Sequence, residues 1–168
     1  ECITESELKT SAFLASLPQE EIDAILLTHA HIDHSGHIPL LVKRGFKGEI
    51  HSTDSTMDLC NIMLRDSAHI QEFEAQWRNR KAQRAGLPAY VPAYTVQDAE
   101  QALNQFLSYP YGEQISLCDG ITMRFLDAGH LLGSASIYFE IWEGEKRTIL
   151  FSGDLGNVNR PLIRDPQM

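Results

Sequence analysis

Residues 28–37 read Thr-His-Ala-His-Ile-Asp-His-Ser-Gly-His, and the core of that run, His29-x-His31-x-Asp33-His34, puts three imidazoles and a carboxylate into six positions. Neutral imidazole and carboxylate oxygen are the donors that Zn²⁺ and similar borderline cations accept, so the run reads as a metal site. His29 and His31, two apart in a loop, can approach one ion from the same side, while Asp33 and His34 lie on the next bend and can reach a second. Two later segments end in the same way. In Leu126-Asp127-Ala128-Gly129-His130-Leu131-Leu132-Gly133-Ser134, a histidine follows the alternating run Ile121, Met123, Phe125, and it can complete a three-histidine set. In Thr148-Ile149-Leu150-Phe151-Ser152-Gly153-Asp154, glycines flank an acid whose backbone must come close to something, which makes Asp154 the natural bridging carboxylate.

These residues need rigid elements behind them. Ile22-Asp23-Ala24-Ile25-Leu26-Leu27 is a short, nearly continuous apolar stretch of the kind expected for a buried strand, and the ligands leave its C-terminal end. After them, Ser35 is a plausible N-cap, Pro39 suits a first helical turn, Ile38, Leu40, Leu41 and Val42 are apolar, and Gly45 is the stop. Strand, ligand loop, helix is the expected local order, and Thr148–Phe151 reads as another buried strand. Along the whole chain the patterning predicts strand 22–28, helix 36–44, strand 48–52, a long helix 55–83, helix 96–106, and strands near 114–117, 121–127, 135–142 and 147–152. On the long helix, Leu59, Met63, Ile70, Phe73 and Trp77 form an apolar stripe expected to face the core, which Asp66 would interrupt. Thr95 with Asp98 three residues later resembles a capping pair.

HxHxDH, Ala128-Gly129-His130 and Ser152-Gly153-Asp154 together resemble the metallo-β-lactamase superfamily, over almost the whole chain. Within it, Asp66–Glu72, Pro110-Tyr111-Gly112-Glu113, Gly129–Ala135 and Gly153-Asp154-Leu155-Gly156 followed by Arg160-Pro161-Leu162 look like the β-CASP branch of RNA-processing nucleases. The likeness is greatest to prokaryotic relatives of the endonuclease subunit of the cleavage and polyadenylation specificity factor. The resemblance implies an α/β fold, a metallo-β-lactamase-like αββα sandwich. It implies that His29, His31 and His130 hold one zinc, that Asp33 and His34 hold another, that Asp154 bridges them, and that Asp33 orients the attacking water. It also implies that residues 1–168 are an incomplete domain. Opening strands with an early aspartate, a late metal-binding histidine and the β-CASP cassette would lie outside this chain, leaving an unpaired sheet edge able to mediate a homodimer. Two ions close together lower the pKa of a shared water to about 7 and take up charge on a phosphoryl oxygen, which suits hydrolysis of RNA phosphodiesters. The same centre in other superfamily members cleaves thioesters or lactams, and a non-catalytic scaffold is expected only where ligands are replaced.

Composition sets outer bounds. With 168 residues, 43% hydrophobic, the chain has no run long enough to span a bilayer and no signal-like start, so no membrane partner is expected. Cys2, Cys60 and Cys118 are odd in number and widely spaced, as free thiols in a reducing cytoplasm would be. A net charge of −9 is unusual for a partner of single-stranded RNA, but bound cations would reverse the local sign at the acids. Arg78, Arg80, Lys81 and Arg84 cluster near Gly86, where they suit a helix dipole or guide RNA. Tyr90, Tyr94, Tyr109 and Tyr111 either pin proline-containing loops or stack bases, and Ser134 and Ser136 either satisfy a glycine turn or reach a phosphate. His37, His51 and His69 read as packing, capping or surface residues.

Overall fold

The computed structural model describes residues 16–167, and in it the apolar runs become seven strands in two sheets with helices on one side. The first sheet is parallel, in the order β1 (Ala24–Leu26), β2 (Glu49–Thr53), β3 (Phe106–Tyr109). The second is antiparallel, in the order β4 (Ile115–Cys118), β5 (Ile121–Asp127), β6 (Ala135–Trp142), β7 (Lys146–Phe151). Four helices lie between the strands of the first sheet: α1 (Ile32–Ser35), α2 (Ile38–Lys43), α3 (Asp54–Ala85) and α4 (Val96–Leu103). Parallel strands need such crossovers, and a parallel sheet must cover its faces.

Two apolar cores follow. Ile50 and Phe106 of the first sheet pack against Ile38 and Leu41 of α2, Cys60, Leu64 and Ala68 of α3, and Ala99 and Ala102 of α4. Between the sheets, Met123, Phe125 and Ile137 meet Leu26, Tyr109 and Tyr111. This is the mixed two-sheet architecture expected from the sequence, with β5 and β6 at the expected bounds.

Several details differ. The helix expected over 36–44 runs from Ile38 to Lys43, a separate single turn, α1, precedes it, and Ser35 is not an N-cap. It ends α1, fully buried, with Oγ 2.9 Å from the Ala30 carbonyl oxygen and 3.0 Å from that of His31. The helix expected to reach 106 stops at Leu103, and Phe106–Tyr109 is a strand instead. A four-residue strand has too few positions to show a period, and the side chain of Phe106, buried at the foot of the core, decides the matter. β1 is only half-buried and β7 is exposed along its length, so neither is the buried strand its composition suggested. Each lies at the edge of its sheet, paired on one side only among the described residues.

The long helix corrects the apolar stripe. The buried residues of α3 are Thr56, Cys60, Leu64, Ala68 and Ala75, whereas Ile70, Phe73 and Trp77 are exposed and Asp66 faces solvent. Two stripes of the same period compete here, and the one with small side chains wins because α4 approaches through Ala99 and Ala102. Thr53 caps the N-terminus, its Oγ1 accepting from the Thr56 amide, and Gly86 ends the helix in the left-handed region at φ 66°. Thr95 and Asp98 form the expected capping box on α4.

Candidate metal centre

The candidate ligands arrive on three segments at the same end of the two sheets, Asp33 and His34 from α1 and the others from loops. Residues 28–34 leave β1, 128–134 join β5 to β6, and 152–156 follow β7. Backbone bonds lock the loops together: the Ala135 amide donates to the Thr28 carbonyl at 2.7 Å, and the Gly156 amide donates to that of Ala128 at 2.8 Å. Ser136 Oγ donates to the Ser152 carbonyl at 2.9 Å, tying β6 to the third loop. Gly133 holds the middle loop against the head of α3: at φ 81° it turns its carbonyl to accept from Thr53 Oγ1 at 2.6 Å and Thr56 Oγ1 at 2.9 Å. Ser134 Oγ accepts from the amides of His130 at 3.0 Å and Leu131 at 3.1 Å. Ser134 and Ser136 are therefore spent on the scaffold rather than offered to a substrate.

Within this frame His31 Nδ1 lies 3.1 Å from His29 Nε2 and 3.2 Å from His130 Nε2. The three rings are nearly perpendicular to one another, at 79°, 86° and 82°. Asp154 Oδ2 approaches His29 Nε2 at 3.7 Å and His130 Nε2 at 3.6 Å. An imidazole nitrogen carries one lone pair or one proton, so His31 Nδ1 cannot form good hydrogen bonds to both neighbours. The four atoms lie within 4.8 Å of one another, and one cation would give each of them a partner. Donors about 2.0–2.1 Å from a tetrahedral zinc stand about 3.3 Å apart, close to the nitrogen separations found here. The arrangement fits a metal.

The other ligand candidates form the flank of the same group. His34 Nε2 lies 3.7 Å from Asp154 Oδ1 and 3.8 Å from Asp33 Oδ2, and the His34 ring centroid is 4.1 Å from that of His29. The two oxygens of Asp154 thus face different ways, Oδ2 toward His29 and His130, Oδ1 toward His34. Of the six expected site residues, His29, His31, His130 and Asp154 converge on one point. Asp33 and His34 stand beside it, with Asp33 the most exposed of the set.

Burial fixes the protonation of the innermost candidate ligand. His29 is fully buried, and desolvation, reinforced by the neighbouring imidazoles of His34 and His31, lowers its pKa from 6.5 to about 4 despite the pull of Asp154. The ring is neutral at pH 7, as a ligand must be. For the metal-free protein the sign is clear. As pH falls below 6.5 the unfolded chain takes up a proton that folded His29 refuses until about pH 4. Stability should therefore drop across that window, by roughly 3 kcal/mol at most from this ring, and level off below it. Urea denaturation of chelator-treated protein at pH 7, 5.5 and 4.5 measures the slope.

Sequence reasoning missed Thr28, whose Oγ1 is 3.1 Å from His29 Nδ1 and so orients the ring; a hydroxyl directly before the first histidine was the available signal. Tyr94, buried, bonds Ser67 through its hydroxyl at 2.9 Å, and Tyr111 donates to the Ser134 carbonyl at 2.9 Å, so both pin loops. His51 is buried, 3.2 Å from the Tyr109 hydroxyl and 3.4 Å from Glu49, and His69 is on the surface, as expected of structural histidines. Burial raises the Cys60 thiol pKa to about 12 and makes it inert; Cys118 is exposed, and Cys2 lies outside the described residues.

A family model described as the metallo-beta-lactamase superfamily matches residues 3–167. The chain is 35% identical over 149 residues to ribonuclease TTHA0252 of Thermus thermophilus, covering 89% of this chain and 30% of that protein. It is 33% identical over 141 residues to the transcription termination factor FttA of Cenarchaeum symbiosum, covering 84% of this chain and 20% of that one. An RNase J-like protein of Methanocaldococcus jannaschii is 32% identical over 151 residues, 89% of this chain and 30% of its own length. The chain thus spans a third or less of these curated relatives. Among solved structures, the HARLDQ-motif metallo-beta-lactamase of Cronobacter sakazakii shares the fold at a TM-score of 0.51 and 18% identity, over 94% of this chain and 51% of the other. Nearly the whole length agrees with one family description, and the chain belongs to the metallo-beta-lactamase superfamily.

Proposed function

We propose that this centre is a dinuclear zinc site and that the protein works as a β-CASP-type nuclease of the cytoplasm, hydrolysing phosphodiester bonds of single-stranded RNA. The divided carboxylate of Asp154 carries the reading, since one oxygen faces His29 and His130 and the other faces His34. His29, His31 and His130 would hold one ion, Asp33 and His34 the other, and Asp154 both. When bound, the ions supply an activated water and neutralise charge growing on the phosphoryl oxygens. The protein's own residues do the rest. Buried His29 stays neutral and keeps its orientation through Thr28. Asp33, 70% exposed and near His34, is placed to accept the proton of an attacking water and to orient it.

Similarity to proteins named ribonuclease, RNase J-like and termination factor supports RNA as substrate. The opening strands and the β-CASP cassette lie, in this reading, outside the 168 residues, which make up part of one catalytic domain.

The test is a substrate panel. Full-length protein should cleave single-stranded RNA, lose that activity on chelation, regain it with zinc, and leave thioesters and β-lactams intact. Turnover of those small esters or lactams without RNA cleavage would overturn the proposal, as would full RNA cleavage in the presence of chelator.

A further inference from the structure

The far end of α3 combines charge and aromatic surface in a way that neither the core nor the metal centre requires. From residue 75 to 94 the chain carries Arg78, Arg80, Lys81 and Arg84 and no acid, within a protein of net charge −9. On the same tip, Phe73 is 65% exposed, Trp77 53% and Tyr90 43%. The cations lie on these rings: the Arg78 guanidinium carbon is 4.6 Å from the Tyr90 ring centroid, and Lys81 Nζ is 3.8 Å from that of Trp77. Tyr90 is held in place. The Asn79 side-chain amide donates to the Tyr90 carbonyl at 2.9 Å, and its oxygen accepts from the Tyr90 amide at 2.6 Å. A helix dipole accounts for cations at a C-terminus but not for clamped, exposed rings beneath them.

Two grooves that share Glu74 lie between the tip and Ile32. A groove of about 430 Å³ starts at Ile32, between His31 and Asp33, and runs past Met63, Ser67 and Ile70 to Glu74. A second, of about 280 Å³, continues from Glu74 along Phe73, Trp77 and Arg78. Asp66 and Glu74 are the acids bordering this path, and Glu74 is paired with Arg78 at 3.5 Å. From Ser67 to Trp77 is about 15 Å along the helix, the reach of a few nucleotides.

We propose that this tip is a binding platform for single-stranded RNA: bases stack on Trp77 and Tyr90, Arg78 and Lys81 meet the phosphates, and the strand follows the groove to the metal centre. Aromatic faces interleaved with cations are how sequence-tolerant single-strand binding is built, and a segment of charge +4 complements a polyanion better than an uncharged protein surface. The inference rests on the RNA reading of the centre and extends it to substrate capture.

The experiment uses full-length protein with fluorescein-labelled single-stranded RNA of 20 and of 6 nucleotides. Anisotropy is read on chelator-treated protein and single-turnover cleavage on zinc-loaded protein. W77A should weaken binding of the 20-mer about 10-fold. The R78Q/K81Q pair should lower the slope of log affinity against log salt by about 1.4. Cleavage of the 6-mer at saturation should be unchanged in both, and circular dichroism should match the wild type, since all three side chains are exposed. Wild-type affinity and salt slope in both variants, with the wild type still cleaving RNA, would overturn the platform alone and leave the tip to a protein partner. A wild type that neither binds nor cleaves RNA would overturn both readings.

Discussion

Replacing His31 by alanine should lower RNA cleavage by on the order of 10³-fold or more, with a parallel loss of bound metal. The expectation follows from position. His31 Nδ1 is the atom that both other imidazoles approach, at 3.1 and 3.2 Å, so its removal opens the centre on the side where the set closes. Loss of a residue that merely supports a ligand typically costs 10–100-fold, and a ligand should cost more. The substitution should leave the fold intact, because the ring points into the loop cluster and belongs to neither apolar core. Metal content by mass spectrometry, alongside single-turnover cleavage of RNA, measures both halves. Cleavage within a few-fold of the wild type would mean that the histidines are not the chemistry.

A large effect on stability is expected at Gly153, directly before Asp154. Its φ of 56° lies in the left-handed region, and a Cβ there would stand 2.9 Å from the Cβ of Thr28. Gly153→Ala combines about 1–2 kcal/mol of backbone strain with a contact that must be relieved by moving one loop away from the other. A total of roughly 2–4 kcal/mol follows, and with it a displaced Asp154. Chemical denaturation gives the first quantity, and zinc affinity of the folded fraction gives the second. Gly86→Ala is the control: φ there is similar, at 66°, but nothing lies within 4 Å of the added methyl, so the cost should be the backbone term alone and zinc affinity should not change.

Much of the candidate centre was legible because its candidate ligands are close in sequence or sit beside glycines where strands end. HxHxDH spans the turn after β1 and the first residues of α1, and β5 and β6 alternate strictly enough to locate His130 between them. What escaped is tertiary in origin. Nothing in the local pattern of α3 says which of two stripes with equal period faces inward. The choice falls to Cys60, Leu64 and Ala68 because α4 offers Ala99 and Ala102, a contact between residues distant in sequence. β3 is four residues long and exists because Phe106 pairs opposite Ile50 in the parallel register. Ser35 resembled an N-cap by type, yet its hydroxyl turns back to Ala30 and His31 and stiffens the ligand loop from beneath. The exposed face of α3, read from the sequence as core, instead lines two grooves that share Glu74, one bordered by Ile32 and the other by Trp77.

Anomalous diffraction at the zinc edge, from crystals grown with the metal, locates any ions bound among these side chains. One peak is expected enclosed by His29 Nε2, His31 Nδ1, His130 Nε2 and Asp154 Oδ2, and a second within reach of Asp154 Oδ1, His34 and Asp33. Zinc-loaded crystals with no peak among these side chains, or with zinc bound only elsewhere on the protein, would contradict it.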